Sequence, residues 1–165
     1  MSHAFFVDFE AFQHGGQDPM MKELCIMNAS QPMDLLYYVF KPNLDWQELS
    51  SEERTTHFYG TRRIHHLHWV DGSTRYCKNC VMHHVKTKFP KWQNAMFYVL
   101  DKVEGPKVKF LKKEFPELNL VNYNGLTFKT LPPAIISMDC PYRPHGKHCA
   151  FQKCLQLYTH FNSFN

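Results

Sequence analysis

Two cysteines and two histidines crowd into ten residues near the end of this chain, Cys140-Pro141-Tyr142-Arg143-Pro144-His145-Gly146-Lys147-His148-Cys149. The spacing Cys-x4-His-x3-Cys offers two thiolates and an imidazole, a set better suited to a metal ion than to a disulfide, and one that Zn2+ prefers. Pro141 and Pro144 stiffen the loop between the first two donors. A tetrahedral site needs a fourth ligand. His148 and Cys154 are spare candidates nearby. Glu23 is another: it lies in the apolar run Met20-Met21-Lys22-Glu23-Leu24-Cys25-Ile26-Met27, where a carboxylate should have a partner.

A second chemistry sits at the other end. In Ala4-Phe5-Phe6-Val7-Asp8-Phe9-Glu10 the two acids are two residues apart on an apolar strand, so both project from one face. Asp101, ending another apolar run, is a candidate third carboxylate. Converging carboxylates repel unless cations neutralise them. Mg2+ or Mn2+ is the usual answer, and a two-ion clamp on a phosphodiester follows. A third cluster is Cys77-Lys78-Asn79-Cys80 followed by His83 and His84, a possible second metal half-site or, at a helix start, a reactive pair. His65, His66 and His68 are placed to complete it or to touch phosphate. Trp69 and Tyr59 are candidates to stack on bases.

Strands over 4–10, 21–29 and 35–41, joined by short connections, predict an antiparallel meander. Gly15, Gly16, Asp18 and Pro19 read as its first turn. A helix follows within 46–58, with Ser50-Ser51-Glu52-Glu53 as its start. Residues 62–72 read as a loop and 76–89 as a helix. Residues 95–101 form a strand, Gly105-Pro106 opens a helix to Phe115, 118–122 is a short strand, and 149–162 is the last helix. Ala150, Cys154, Leu157 and Phe161 make its apolar stripe. This order is that of an α/β ribonuclease H-like layer: a five-stranded mixed sheet, order 3-2-1-4-5, flanked by helices. Strands one and four are then adjacent where the order reverses, the position at which open α/β sheets collect ligands.

The 165 residues suit one domain over 1–165, and 44% hydrophobic and 15% aromatic residues exclude a disordered chain. No run of about 18 apolar residues is present, so no membrane span is expected. The first residues lack a basic, signal-like start. An intracellular chain, cytoplasmic or nuclear, keeps its six cysteines reduced, which favours metal binding over bridges. The net charge is +4. Basic residues bunch at Lys86, Lys88 and Lys91 and again over Lys102, Lys107, Lys109, Lys112 and Lys113, which suits a nucleic-acid partner.

Phe-Val-Asp-Phe-Glu on the first strand resembles the opening motif of DEDDh exonucleases, and His145 before an Ala-containing last helix resembles their final motif. Cys149-Ala150 stands where those enzymes carry an aspartate. The combination of Glu23 in its Lys-Glu-Leu context with Cys140, His145 and Cys149 resembles the zinc quartet of the Maelstrom domain, which shares that fold. The resemblance implies a ribonuclease H-like fold, Zn2+ on Glu23, Cys140, His145 and Cys149, binding or cleavage of single-stranded RNA, and a protein partner in a silencing complex. Unlike Maelstrom domains, this chain keeps Asp8 and Glu10. Three functions therefore stand: a zinc-stabilised RNA-binding domain, a divalent-metal 3'-5' exonuclease using Asp8, Glu10 and Asp101 with His145, and a catalytically inactive protein-interaction module.

Overall fold

The computed structural model describes residues 3–12, 19–124, 131, 133–134, 138–146 and 148–162, with the His65 side chain outside the description. The expected turn at Gly15, Gly16 and Asp18 also lies outside the described residues.

Among the described residues six strands form one mixed sheet: β1 (Ala4–Phe12), β2 (Met20–Asn28), β3 (Gln31–Lys41), β4 (Thr74–Arg75), β5 (Met96–Leu100) and β6 (Leu120–Tyr123). Their order is β4-β3-β2-β1-β5-β6. β1, β2 and β3 pair antiparallel, while β5 joins β1, and β6 joins β5, in parallel. Strand count and order therefore differ from the expected five. The addition is at one edge, where Thr74 and Arg75 pair in parallel with Phe40 and Lys41. Two residues carry no readable alternation. What admits them is Gly72, at φ +121°, where an added Cβ would lie 2.5 Å from the Phe40 carbonyl carbon. No side chain fits so close an approach.

Among the described residues four α-helices flank the sheet: α1 (Ser51–Gly60), α2 (Lys78–Lys88), α3 (Pro106–Glu114) and α4 (Ala150–Asn162). Ser50 starts α1 with a reciprocal pair of bonds to Glu53, a capping box. The stretch after α1 differs from the expected loop: the helix runs on into a π-helical turn, Thr61–His65, and stops at His66 in the left-handed region.

Because β1 and β2 are covered on both faces, alternation sorts their residues by layer rather than by solvent. Phe5, Val7, Phe9, Leu24 and Ile26 pack on one side with Val81, Met82 and Val85 of α2 and Val108 and Leu111 of α3. Phe6, Cys25 and Met27 pack on the other with Phe151, Cys154, Leu155 and Leu157 of α4. By the same alternation, Asp8, Glu10 and Glu23 face α4. No helix among the described residues is long and apolar enough to cross a membrane.

Candidate metal centre

The β1–β2 register places Glu10 directly opposite Glu23. Two acids facing each other inside a covered sheet repel, and each is answered separately from α4 and the loop before it.

Glu23, fully buried, receives the Ala150 amide on Oε1 at 2.8 Å. Its Oε2 lies 2.7 Å from His145 Nε2 and accepts from the Tyr37 hydroxyl. Cys149 Sγ is 3.8 Å from the same oxygen, and Cys140 Sγ is 3.0 Å from the Tyr37 hydroxyl. Ligand atoms of Glu23, Cys140, His145 and Cys149 all lie within 4.8 Å of one another, and all four residues are buried. This group could hold a metal ion. Among the described residues it is the only cluster of three or more His, Cys, Asp or Glu donors that close.

Charge in the group is uneven. The hydrogen bond from Cys149 leads in holding the Cys140 thiol below its ordinary value, with His145 and Tyr37 adding to it against the effect of burial. Cys149 is driven upward by its bond to Cys140, then by burial and by Glu23. Deprotonation is therefore favoured at Cys140 over Cys149, beside Glu23. Burial, and then Glu23, pushes the Tyr37 hydroxyl upward, so it stays a donor. Two sulfurs and a carboxylate oxygen converging in a dry pocket are donors that a cation would satisfy.

The loop carrying two of the ligands is pinned from outside. Arg143 donates to Asp71 Oδ2 at 2.7 Å and to the His66 carbonyl at 3.3 Å. Gly146, at φ +100°, turns the chain after His145 so closely over His66 that a Cβ would sit 2.9 Å from its ring. The spare candidate Cys154 is used elsewhere, with Sγ 3.7 Å from the Phe6 carbonyl and 3.9 Å from that of Cys25.

The second acid pair has a different answer. Lys153 Nζ lies 2.9 Å from Glu10 Oε1 and 4.0 Å from Asp8 Oδ2. Lys107 Nζ lies 2.7 Å from Asp8 Oδ1. Two ammonium groups thus stand beside these carboxylates in the place expected for two divalent ions. Burial works against the charge on Lys153, but Asp8 and then Glu10 outweigh it and hold the amine above the ordinary lysine value. Asp101 does not join the pair as a third ligand: its Oδ2 accepts the Val108 amide at 3.1 Å in the first turn of α3. A cavity of about 420 Å3, bordered by Glu10, Phe12, Tyr59, Ile64, Lys107 and Phe110, opens beside these groups.

Other expected site residues are placed otherwise. Cys77 and Cys80 are joined as a disulfide, and His84 Nδ1 lies 2.7 Å from the Tyr38 hydroxyl on β3. Together with His83 they form no metal group among the described residues. The reason is local: a Cys-x-x-Cys at a helix start brings its sulfurs within bonding reach of each other, and His84 turns toward the sheet. Trp69 is no exposed stacking platform. It is 5% exposed, its ring stacks on His57 with centroids 4.6 Å apart, and its Nε1 donates to the Leu44 carbonyl. Tyr59 is exposed. Lys86 pairs with Glu117 at 2.8 Å, while Lys88 and Lys91 are exposed beside a cleft of about 260 Å3 that also includes Asp34.

Three contributors were missed in the sequence. Lys153 interrupts the apolar face of α4 one turn after Cys149, and an amine on that face needs an acid. Lys107 sits in the first turn of α3, where a cation opposes the helix dipole, and that too implies a partner. Tyr37 gave no signal beyond its place on a strand. No protein-family model matches the chain, and no curated protein matches it.

Proposed function

We propose that this chain is a zinc-stabilised, ribonuclease H-like domain that binds single-stranded RNA, as Maelstrom domains do, and that it holds RNA without two-ion hydrolysis at Asp8 and Glu10. The observation that carries this reading is the buried quartet of Glu23, Cys140, His145 and Cys149, drawn from β2 and from the segment entering α4. Two sulfurs, one imidazole and one carboxylate are borderline-soft donors that zinc takes in closed structural sites. Glu23, Cys140, His145 and Cys149 would hold the ion, and the ion would cross-link the last helix to the second strand. Mg2+ and Mn2+ favour all-oxygen sites. The acidic pair on β1, Asp8 and Glu10, which could supply oxygens, already faces Lys107 and Lys153. For nucleic acid, the excess positive charge and the exposed Lys88 and Lys91 provide phosphate partners.

Metal analysis of the purified protein, together with anisotropy of a labelled single-stranded RNA, tests the reading. The expected result is one equivalent of zinc and salt-dependent RNA binding. Lys88→Glu/Lys91→Glu weakens that binding, and the RNA stays intact in Mg2+ or Mn2+. Magnesium-dependent cleavage abolished by Asp8→Asn would establish the exonuclease reading instead. Zinc without RNA binding would leave the protein-interaction module.

A further inference from the structure

Four of the six cysteines, Cys25, Cys140, Cys149 and Cys154, are buried thiols. The other two, Cys77 and Cys80, are bonded to each other with Cα atoms 5.2 Å apart, and neither the metal centre nor RNA binding uses them. We propose that this pair is a reversible thiol–disulfide exchange site that reacts with a small anionic thiol of the glutathione type.

Three features support exchange rather than a fixed staple. The bond is accessible: Cys80 is exposed and Cys77 half-buried. Its two sulfurs are inequivalent. Cys77 caps α2, and its Sγ accepts the Cys80 amide at 3.1 Å, which stabilises negative charge on that sulfur at the positive end of a helix. Among the described residues no N–H donates to Cys80 Sγ. The same helix has a second anchor, because Val81, Met82 and Val85 are buried in the core. The approach is electrostatically open to an anion, since the first turn of α2 carries no acid and is flanked by exposed Arg75 and Lys78.

The reaction follows from the inequivalence. An incoming thiolate attacks the exposed Cys80 Sγ, forming a mixed disulfide as the Cys77–Cys80 bond breaks. Cys77 leaves with the electron pair as a thiolate held by the Cys80 amide, then takes a proton from water. A second thiolate attacks the small thiol's sulfur in the mixed disulfide and displaces Cys80 as a thiolate, which is protonated in turn. In sum, two small thiols are oxidised to their disulfide and the protein disulfide is reduced to two thiols. The reverse sequence reoxidises it.

The test uses the folded protein, equilibrated against graded ratios of reduced to oxidised glutathione, then quenched by alkylation and weighed intact. The expected result is two alkylations appearing together on Cys77 and Cys80 and reversing with oxidised glutathione, while the buried thiols stay unlabelled. Cys77→Ala should accumulate one glutathione adduct on Cys80, and Cys80→Ala, in which the residue-80 amide still holds the Cys77 thiolate, should form its adduct with oxidised glutathione faster at neutral pH. Three results would overturn the proposal: a pair that does not change across the full range of ratios, equal adduct rates in the two variants, or a second equivalent of zinc lost in Cys77→Ala/Cys80→Ala. Zinc at Glu23 and its partners is counted separately, so failure here leaves the metal centre standing.

Discussion

Glu23→Gln is the sharpest test of the metal centre. The substitution keeps the volume of the side chain, and the amide oxygen can still accept the Ala150 N–H at 2.8 Å. What it removes is a buried negative charge that faces His145 at 2.7 Å and accepts from Tyr37. Hydrogen bonds to charged groups contribute about 1.5–3 kcal/mol each, so two of them give roughly 3–6 kcal/mol. About 4 kcal/mol lies inside that range before any ligand is counted. In the zinc-loaded protein the loss is larger, because binding at structural zinc sites contributes on the order of 10 kcal/mol to folding. For a chain of this size a loss of 1 kcal/mol lowers Tm by about 2–4 °C. Scanning calorimetry should therefore show Tm lower by at least about 10 °C, and elemental analysis should show zinc well below one equivalent. Cys154→Ala is the matching control: it opens the same core layer, yet it should keep its metal. A Glu23→Gln protein that retains a full equivalent and melts within about 2 °C of the parent would refute the reasoning.

Two further outcomes follow from the buried lysines. Lys153→Met should destabilise the fold by about 3–5 kcal/mol, because it leaves Glu10 buried without its cation, and adding Glu10→Gln should recover part of that loss in urea denaturation. Simple additivity of the two substitutions would show that the pair is not coupled. Since Asp8 and Glu10 hold the Lys153 amine above its unfolded value, its contribution is fully present below the ordinary lysine range and is lost only at strongly alkaline pH. Lys22 has the opposite sign. Burial lowers it to about 8, although its amine donates to the Phe40, Trp69 and Asp71 carbonyls. Between that value and the ordinary lysine value the unfolded chain binds more protons, so this group makes stability rise with pH above about 8. Denaturation at pH 7 and pH 10 should show a rise in the parent that is flattened in Lys22→Met, and an unchanged rise in that variant would disprove the assignment.

The strand–helix order was readable because each long element carries a strong local signal: the apolar runs of β1 and β2, the Ser50–Glu53 capping box, and Pro106 opening α3. β4 was not readable, because two residues have no period and its pairing depends on the backbone approach that Gly72 allows. At the site, Cys140, His145 and Cys149 declared themselves by spacing, since loop donors nine residues apart converge without help from the fold. Glu23 was suspect because a charge in an apolar strand needs a partner. Its place beside them was legible only through the resemblance to the Maelstrom quartet, because a sequence separation of 122 positions from His145 carries no distance information.

Residue types and local spacing settled which groups could do chemistry: soft donors before the last helix, acids on the first strand, a cysteine pair at a helix start. The tertiary structure alone decided what each group faces. It gave Glu23 to the thiols, gave Asp8 and Glu10 to lysines rather than leaving them open, and turned Trp69 inward. Charge neutralisation acts through space across a few ångströms, and only the packing of α4 and α3 on the sheet brings those partners together.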